Sequence, residues 1–213
     1  MRIDVFTLFP HWFDWFRTQR HVANAIANGH ALEAIDPRAT TPLKAGKVDD
    51  VPFGGGAGMV LRVDVVAEAL DAVYAEQPAH PVIALSPKGR QLTQKVVEEL
   101  AELEHVTLLS ARFEGFDERI VEHLSTDAIS IGPYVLSNGD LPAMVLVDAV
   151  ARRLPGALAE GSGEIESFSD ELGGGLEYPH YTRPAEYRGW RVPDVLLSGD
   201  HARIEGWRRE QVR

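Results

Sequence analysis

The sequence predicts an α/β fold with a largely parallel sheet, followed by a small C-terminal domain. Strand-like apolar runs alternate with helix-like amphipathic stretches over residues 1–158, as in domains with parallel sheets. Composition then changes to a Gly-, Ser- and Glu-rich stretch that is typical of a linker. The chain has 213 residues and is 45% hydrophobic, which is enough for one large domain with a smaller one attached.

The first half of the chain alternates between the two patterns. Residues 3–8 read as a strand, and residues 11–28 contain two helical pieces, after which Gly29 is a helix stop. Apolar residues recur at helical spacing over residues 63–73 and predict a helix. The apolar run 81–85 predicts a buried strand.

The second half of the large domain continues the alternation. Residues 92–100 predict an amphipathic helix, and residues 106–110 and 128–131 predict short strands. Residues 141–154 form a mostly apolar helix that a Pro-Gly pair ends.

The composition predicts a linker at 159–175 and a separate C-terminal domain at 176–213. The linker has few apolar residues to anchor it. The C-terminal domain is rich in Pro, Arg and aromatic residues, and its last part, 200–211, reads as a helix.

Composition excludes several classes of protein and site. There is no cysteine, so disulfide frameworks, thiolate zinc sites and cysteine nucleophiles are excluded. The eight histidines show no metal-ligand spacing. No apolar stretch approaches the roughly 20 residues that span a bilayer, and the N-terminus reads as a strand instead of a signal peptide. We expect a soluble, cytoplasmic protein with no membrane partner.

The negative charge of the chain is unevenly distributed. The net charge is −11, but residues 178–213 carry seven arginines and five acidic residues, a net of +2. Phosphate binding depends on local basic patches instead of total charge. The acidic total therefore does not exclude a nucleic-acid partner for the C-terminal domain.

A glycine-rich loop at 54–58 does not match a nucleotide-binding fingerprint. The Gly spacing of a dinucleotide motif is absent, no strand-like run precedes it, and the Gly-Lys-Ser/Thr of a phosphate loop is missing. Two interpretations of this loop stay open: a flexible backbone loop near a ligand, and a purely structural turn.

Three polar loops follow predicted strands at 86–89, 111–115 and 132–140. In open α/β sheets, ligands bind beyond the carboxyl ends of the strands. Any one of these loops could be a plain turn between a strand and a helix. Together they favour a ligand site, because Gly and Pro there expose backbone groups that can hold an adenine or a ribose.

Two clusters of charge are candidates for chemistry. Arg152 and Arg153 end an apolar helix, where their charge would also complement the helix dipole. Four carboxylates lie at 164–171, in a stretch that would otherwise read as a solvated linker. A general base must be one carboxylate held close to an acidic N–H.

Several short motifs in a fixed order carry a resemblance to a known family. They are Val48-Asp49-Asp50 with Gly54–Met59, Leu85–Gly89, Arg112–Arg119, Ser130–Leu136 and Pro179–Pro184. As a set they resemble the bacterial tRNA (guanine-37-N1)-methyltransferases, knotted enzymes that use S-adenosylmethionine. The resemblance runs from Leu8-Phe9-Pro10 to Leu197–His201, nearly the whole chain.

The resemblance implies a fold and an activity. The first domain, 1–158, would contain a deep C-terminal trefoil knot that binds S-adenosylmethionine. The acidic linker, 159–175, would lead to a small, mainly helical tRNA-binding domain at 176–213, shortened relative to family members with a further basic tail. The enzyme would be a homodimer with active sites at the interface, and would methylate N1 of guanine-37. Mg²⁺ is also implied, without identified ligands.

The resemblance also implies roles for individual residues. Those matching the cofactor loops are Leu85, Ser86, Pro87, Ala111, Phe113, Glu114, Gly115, Ser130, Ile131, Gly132, Pro133, Tyr134, Val135, Leu136, Asn138 and Gly139. Those matching tRNA contacts are Asp50, Gly55, His180, Arg183, Ser198, His201 and Arg208. The catalytic candidates are Glu166, Arg152 and Asp170.

Some positions depart from the family pattern. Glu166 stands where the family has the aspartate that acts as its general base, and Asp170 follows four residues later. Ala111, Phe113, Pro133 and Asn138 replace a Gly, a Tyr, an Asp and a Gly. Two alternative functions stay open: a knotted methyltransferase for another RNA base, and an RNA-binding relative that has lost turnover.

Overall fold

The computed structural model describes residues 1–75, 78–159, 162 and 165–213, which divide into two compact units at 1–160 and 161–213. Part of the predicted linker, including its carboxylate at position 164, lies outside the described residues.

The elements of the first unit alternate between strands and helices. In chain order they are β1 (Arg2–Phe6), α1 (Trp12–Phe16), α2 (Arg20–Ala27), β2 (Ala31–Ile35), β3 (Asp49–Asp50), β4 (Val60–Leu61), α3 (Val63–Tyr74), β5 (Val82–Gln91), α4 (Gln94–Ala101), β6 (His105–Ser110), β7 (Asp127–Ser130) and α5 (Asp140–Ala151). Short 3-10 turns at Pro37–Ala39 and Lys44–Gly46 and a π-helical turn at Ile120–Leu124 join them.

The central sheet is parallel and has the order β2-β1-β6-β5-β7. Strands β3 and β4 form a separate antiparallel pair. The α/β fold with a parallel sheet, predicted from the alternating pattern, is confirmed.

The core lies on both faces of this sheet because alternate strand residues point to opposite sides. On one face, Val5 and Leu108 pack with apolar residues of α4 and α5. On the other, Phe6 and Leu109 pack with α3. Burying each large aliphatic side chain contributes roughly 1.5–3 kcal/mol, so these layers hold the sheet and its carboxyl-end loops in place.

Strand β5 is longer than the predicted run 81–85, because it leaves the sheet and returns. Leu85 and Arg90 both pair with Ile129 of β7, so Ser86–Gly89 form an excursion between them. Gly89 lies so close to β7 that a Cβ there would be 2.5 Å from the Ile129 nitrogen. The excursion therefore needs glycine at its return point.

The second unit contains a hairpin and two helices. They are β8 (Glu186–Tyr187), β9 (Trp190–Arg191), α6 (Asp194–Leu197) and α7 (His201–Gln211), preceded by a 3-10 turn at Asp170–Leu172. Leu176 and Arg213 exchange two backbone hydrogen bonds, which join the segment before the hairpin to the residues after α7. The Asp200 side chain accepts a hydrogen bond from the Arg203 backbone and caps α7, so the predicted helix at 200–211 is confirmed to within a residue.

Among the described residues, no helix is both long enough and apolar enough to cross a membrane.

Candidate active site

A cavity of about 540 Å³ opens beside the excursion of β5 and the carboxyl ends of β6 and β7. The three loops singled out in the sequence line it, although they are far apart along the chain. Every predicted cofactor residue lines the cavity except Pro133, which is exposed and lies outside its lining. Sequence reasoning missed Lys88, Arg112, Glu118 and Ser137, which also line it.

The first wall of the cavity is formed by the excursion of β5, residues 86–89. The Lys88 N–H donates to the Ser86 hydroxyl at 3.3 Å, which tightens the turn. Lys88 Nζ reaches across to Glu118 Oε2 at 2.8 Å. This wall is therefore linked by an ion pair to the loop that follows β6.

The second wall follows β6 and is anchored to β4. The Glu114 N–H donates to the Met59 carbonyl at 2.9 Å, and the Leu61 N–H donates to the Gly115 carbonyl at 3.0 Å. Phe113 adopts a left-handed backbone conformation, with φ of 60°, and is 44% exposed. Non-glycine residues in that conformation store strain, and such strain concentrates at functional sites.

Arg112, the arginine of the second wall, packs against an aromatic ring. Its guanidinium lies over the Phe9 ring, 5.0 Å from the ring centroid. Phe9 in turn stacks on Trp12, with centroids 5.4 Å apart. Arg112 is thereby held in place beside the cavity by a cation–π contact.

The third wall, residues 131–139, is closed by its own hydrogen bonds. The Ser130 hydroxyl accepts from the Gly132 N–H and donates to the Gly132 carbonyl. At the far end, the Gly139 N–H donates to the Ala111 carbonyl at 2.7 Å. A Cβ on Gly139 would be 2.8 Å from the Ala111 nitrogen, so the third and second walls touch through backbone.

The catalytic candidates lie in both units. Arg152 directly follows α5 and donates its N–H to the Asp148 carbonyl in the first unit. Glu166 and Asp170 belong to the second unit, where Glu166 is half-buried and Asp170 is exposed at the start of a 3-10 turn. The Glu166 carbonyl accepts a hydrogen bond from the Ser169 N–H.

The predicted tRNA contacts of the first unit lie near the glycine-rich loop. The Val51 N–H, with Lys47 and Arg62 nearby, lowers the pKa of Asp50. Lys47 Nζ and Arg62 Nη1 lie 3.3 Å and 3.1 Å from its carboxylate. Gly55 is exposed with φ of 80°, a conformation that glycine adopts without strain.

The predicted tRNA contacts of the second unit differ in exposure. Arg183 is exposed, and His180 Nε2 lies 2.9 Å from Glu177 Oε1. The Arg208 guanidinium lies over the Tyr178 ring at 4.9 Å, with its Nε buried. Ser198 and His201 lie at the junction of α6 and α7, where the Ser198 hydroxyl donates to the Val195 carbonyl.

The described residues contain no cluster of metal-ligating side chains. Among them, no three His, Asp or Glu side chains are grouped so that they could hold an ion. The described residues therefore show no ready-made protein cluster for the Mg²⁺ implied by the resemblance.

Comparisons with known proteins agree with the motif pattern. Residues 1–213 match the family described as tRNA (Guanine-1)-methyltransferase TrmD. The chain is 48% identical to a tRNA (guanine-N(1)-)-methyltransferase of Brevibacillus brevis, covering 100% of this chain and 87% of that protein. It is 49% identical to one from Dehalococcoides mccartyi, with coverage of 99% and 85%.

A solved structure is similar over the same length. It is the tRNA (m1G37) methyltransferase from Aquifex aeolicus, with 39% identity, a TM-score of 0.81, and coverage of 99% of this chain and 88% of that one. The resemblance inferred from the motifs is confirmed, and the chain belongs to the tRNA (guanine-1)-methyltransferase family.

Proposed function

We propose that this protein transfers the methyl group of S-adenosylmethionine to N1 of guanine-37 in tRNA, 3′ to the anticodon. The observation that carries the proposal is the convergence of three separate loops on one cavity at the carboxyl edge of the sheet. Family membership gives the reaction class. Because its substrate is tRNA, we place the enzyme in the cytoplasm.

The cavity suits the methyl donor. Its volume lies within the roughly 300–1,000 Å³ of small-molecule sites. Leu85, Ile129 and Leu136 give apolar surface for an adenine, and the loop backbones offer hydrogen-bonding groups for ribose. When bound, S-adenosylmethionine supplies an electrophilic methyl group on a sulfonium.

The chain's own residues would remove the N1 proton of guanine and stabilise the charge that develops on it. Glu166, at the position of the family's base, would accept the N1 proton, with Asp170 as the nearby alternative. Arg152 would stabilise the negative charge that develops on guanine O6. The base must leave its stack to reach the donor. No step is routed through Mg²⁺, because the described residues contain no cluster of three His, Asp or Glu side chains that would hold it.

An exposed basic segment in the second unit supports tRNA binding. Every residue from 179 to 191 is exposed, and the segment includes three arginines and three aromatic residues. The aromatic residues are Tyr181, Tyr187 and Trp190, the last 70% exposed. Arginines bind phosphates, and exposed aromatic rings stack on unpaired bases. Asp50 and Gly55 of the first unit would add further contacts.

An apolar face on α5 supports the homodimer. The helix is apolar nearly all round, as helices covered on all sides are. One side packs on the sheet, while Leu141 and Val145 on the other are 49% and 47% exposed, and Val135 in the preceding loop is 84% exposed. In the dimer we propose, one subunit provides the donor cavity and its partner provides the catalytic carboxylate and the tRNA-binding unit.

We also propose that the first domain contains the trefoil knot. The chain would thread residues 131–151 through the loop that leads from β6, which fits the close backbone contact between Gly139 and Ala111. Such threading is an exception among protein folds. It would give the donor a bent, enclosed site.

A methylation assay tests the function. The protein is incubated with labelled S-adenosylmethionine and unmodified tRNA carrying guanine at positions 36 and 37, beside a transcript with adenine at position 37. We expect label in the first transcript and 1-methylguanosine in its digest. Equal labelling of both transcripts would favour another target base, and donor binding without turnover would favour a non-catalytic RNA-binding protein.

A further inference from the structure

Asp140 is a buried carboxylate that accepts hydrogen bonds from the hydroxyl groups of two other elements. It is 1% exposed. Thr7, which follows β1, and Ser110, which ends β6, both donate to Asp140 Oδ1, Ser110 at 2.8 Å. Thr7 and Ser110 are themselves buried. Among the described residues, the side-chain partners of this carboxylate are hydroxyls and not cations.

The position of Asp140 explains how a buried carboxylate is tolerated. It is the first residue of α5, where the aligned peptide dipoles favour negative charge. Its own N–H donates to Asn138 Oδ1 at 3.1 Å. The carboxylate accepts hydrogen bonds and cannot donate them, so it orients both hydroxyl protons toward itself.

The orientation of the Thr7 hydroxyl has a further effect. Because its proton points to Asp140, its oxygen is available to accept from the Phe9 N–H, at 2.9 Å. Phe9 lies under the Arg112 guanidinium at the cavity edge. Asp140 is therefore connected through Thr7 to the support of a cavity arginine.

The neighbours of these residues line the donor cavity. Ser110 directly precedes Ala111, and Asp140 directly follows Gly139, and both of these neighbours are cavity residues. The Gly139 N–H already bonds the Ala111 carbonyl. The Ser110–Asp140 bond adds a second, side-chain connection at the same place. The second and third walls are thus held together here by a backbone hydrogen bond and by the Asp140 carboxylate.

We propose that Asp140 is a positioning residue for the methyl-donor cavity. It holds the loops 111–115 and 131–139 at the spacing that S-adenosylmethionine requires, by fastening the ends of β1 and β6 to the start of α5. The identity of the ligand rests on the function proposed above. Loss of these bonds weakens donor binding and leaves tRNA binding and methyl transfer at saturating donor unchanged.

Hydroxyl deletions test the proposal with small changes of shape. Thr7→Val removes the hydroxyl and keeps the side-chain volume, and Ser110→Ala removes the other donor. Each leaves a buried carboxylate with one donor fewer, so we expect the dissociation constant of S-adenosylmethionine to rise about tenfold by calorimetry. Thr7→Ser retains the hydroxyl and restores near-wild-type affinity. The KM for tRNA and kcat at saturating donor stay within about twofold.

A second readout separates positioning from stability. Val147→Ala removes a buried group of α5, 1% exposed, without touching this network, and so lowers Tm while donor affinity stays constant. Amide hydrogen exchange of the free protein should quicken at 111–115 and 131–139 in Ser110→Ala and Thr7→Val, but not in Val147→Ala or Thr7→Ser.

Each outcome decides the question. In one outcome, the hydroxyl variants show a lower Tm but unchanged donor affinity and unchanged hydrogen exchange in the loops. That result would overturn the positioning role. A wild-type protein that bound no S-adenosylmethionine would sink the proposed function, and loop exchange would still decide whether Asp140 positions the walls.

Discussion

Lys88 and Glu118 are joined at the edge of the cavity by an ion pair, with 2.8 Å between Lys88 Nζ and Glu118 Oε2. Lys88 belongs to the excursion of β5 and Glu118 to the segment after β6. Their side chains are 78% and 54% exposed, so solvent screens the pair. The pair links two cavity walls and contributes little to the stability of the fold.

Lys88→Met should therefore weaken donor binding modestly. Exposed pairs contribute roughly 0.2–1 kcal/mol, so the dissociation constant of S-adenosylmethionine should rise by no more than about fivefold. The difference from wild type should vanish at high salt, because the attraction is screened. Lys95→Met changes an exposed residue of α4 that lies outside the cavity lining, and it is the control. A difference that persisted at high salt would mean that Lys88 acts through contact with the ligand.

Gly89→Ala should disturb both the sheet and the cavity. The new Cβ would meet the backbone of β7, which cannot move aside cheaply. Overpacking of this kind lowers the free energy of unfolding by about 1–3 kcal/mol, and the displaced Ser86–Gly89 segment should bind donor less tightly. Chemical denaturation and calorimetry measure the two effects. An unchanged affinity would show that the excursion does not shape the site.

Gly206→Ala should stabilise the second unit. Gly206 lies inside α7, and, apart from its chain neighbours and the backbone of its own helix, no described atom lies within 4 Å of the place where its Cβ would be. Alanine in a helix interior is favoured over glycine by about 0.8–1 kcal/mol. The melting transition of the second unit should move up. A lower transition would mean that α7 needs the flexibility of glycine.

Glu166→Gln and Asp170→Asn should differ sharply in turnover. A general base contributes about 10²–10⁴-fold to rate, so Glu166→Gln should lower the single-turnover rate by that order and Asp170→Asn should retain most of it. Binding of donor and tRNA is measured alongside, because both variants should keep it. Equal and small losses of rate in the two variants would show that the general base is another residue.

Stability should fall as the pH drops below about 6.5, the usual pKa of histidine. Burial, and then neighbouring His105, lower the pKa of His80. The two rings stack with centroids 3.5 Å apart, and His80 Nε2 lies 2.8 Å from the Thr107 hydroxyl. The unfolded state therefore binds more protons than the folded state, and stability from neutral His80 is present above that pH and lost below it.

His80→Gln keeps a polar group near Thr107 and cannot titrate. The loss of unfolding free energy between pH 7.5 and 5.5 should be smaller in this variant than in wild type. Parallel pH profiles would show that His80 does not contribute to the acid sensitivity.

Local patterns predicted the elements well and their long-range contacts poorly. Hydrophobic periodicity located most helices and strands of the first unit, and Gly and Pro marked the three cavity loops. Strand β5 was predicted too short because Pro87 and Gly89 interrupt the strand pattern, whereas the strand resumes at Arg90.

The connections that shape the cavity could not be read from sequence spacing. Thr7 and Asp140 are 133 residues apart, and Lys88 and Glu118 are 30 apart. Neither pair has a local signature, since each forms only when the parallel sheet brings the ends of its strands together. The catalytic candidates were located by resemblance and stay predictions.

Strand β5 pairs with β7 both before and after its excursion, so the excursion can vary independently of the sheet. Because Leu85 and Arg90 share Ile129, the sheet register does not depend on the residues between them. Insertions within Ser86–Lys88 should leave the strand pairing intact, provided that Gly89 is kept. This segment is therefore the natural place to redesign the enzyme for synthetic donors that carry groups larger than methyl.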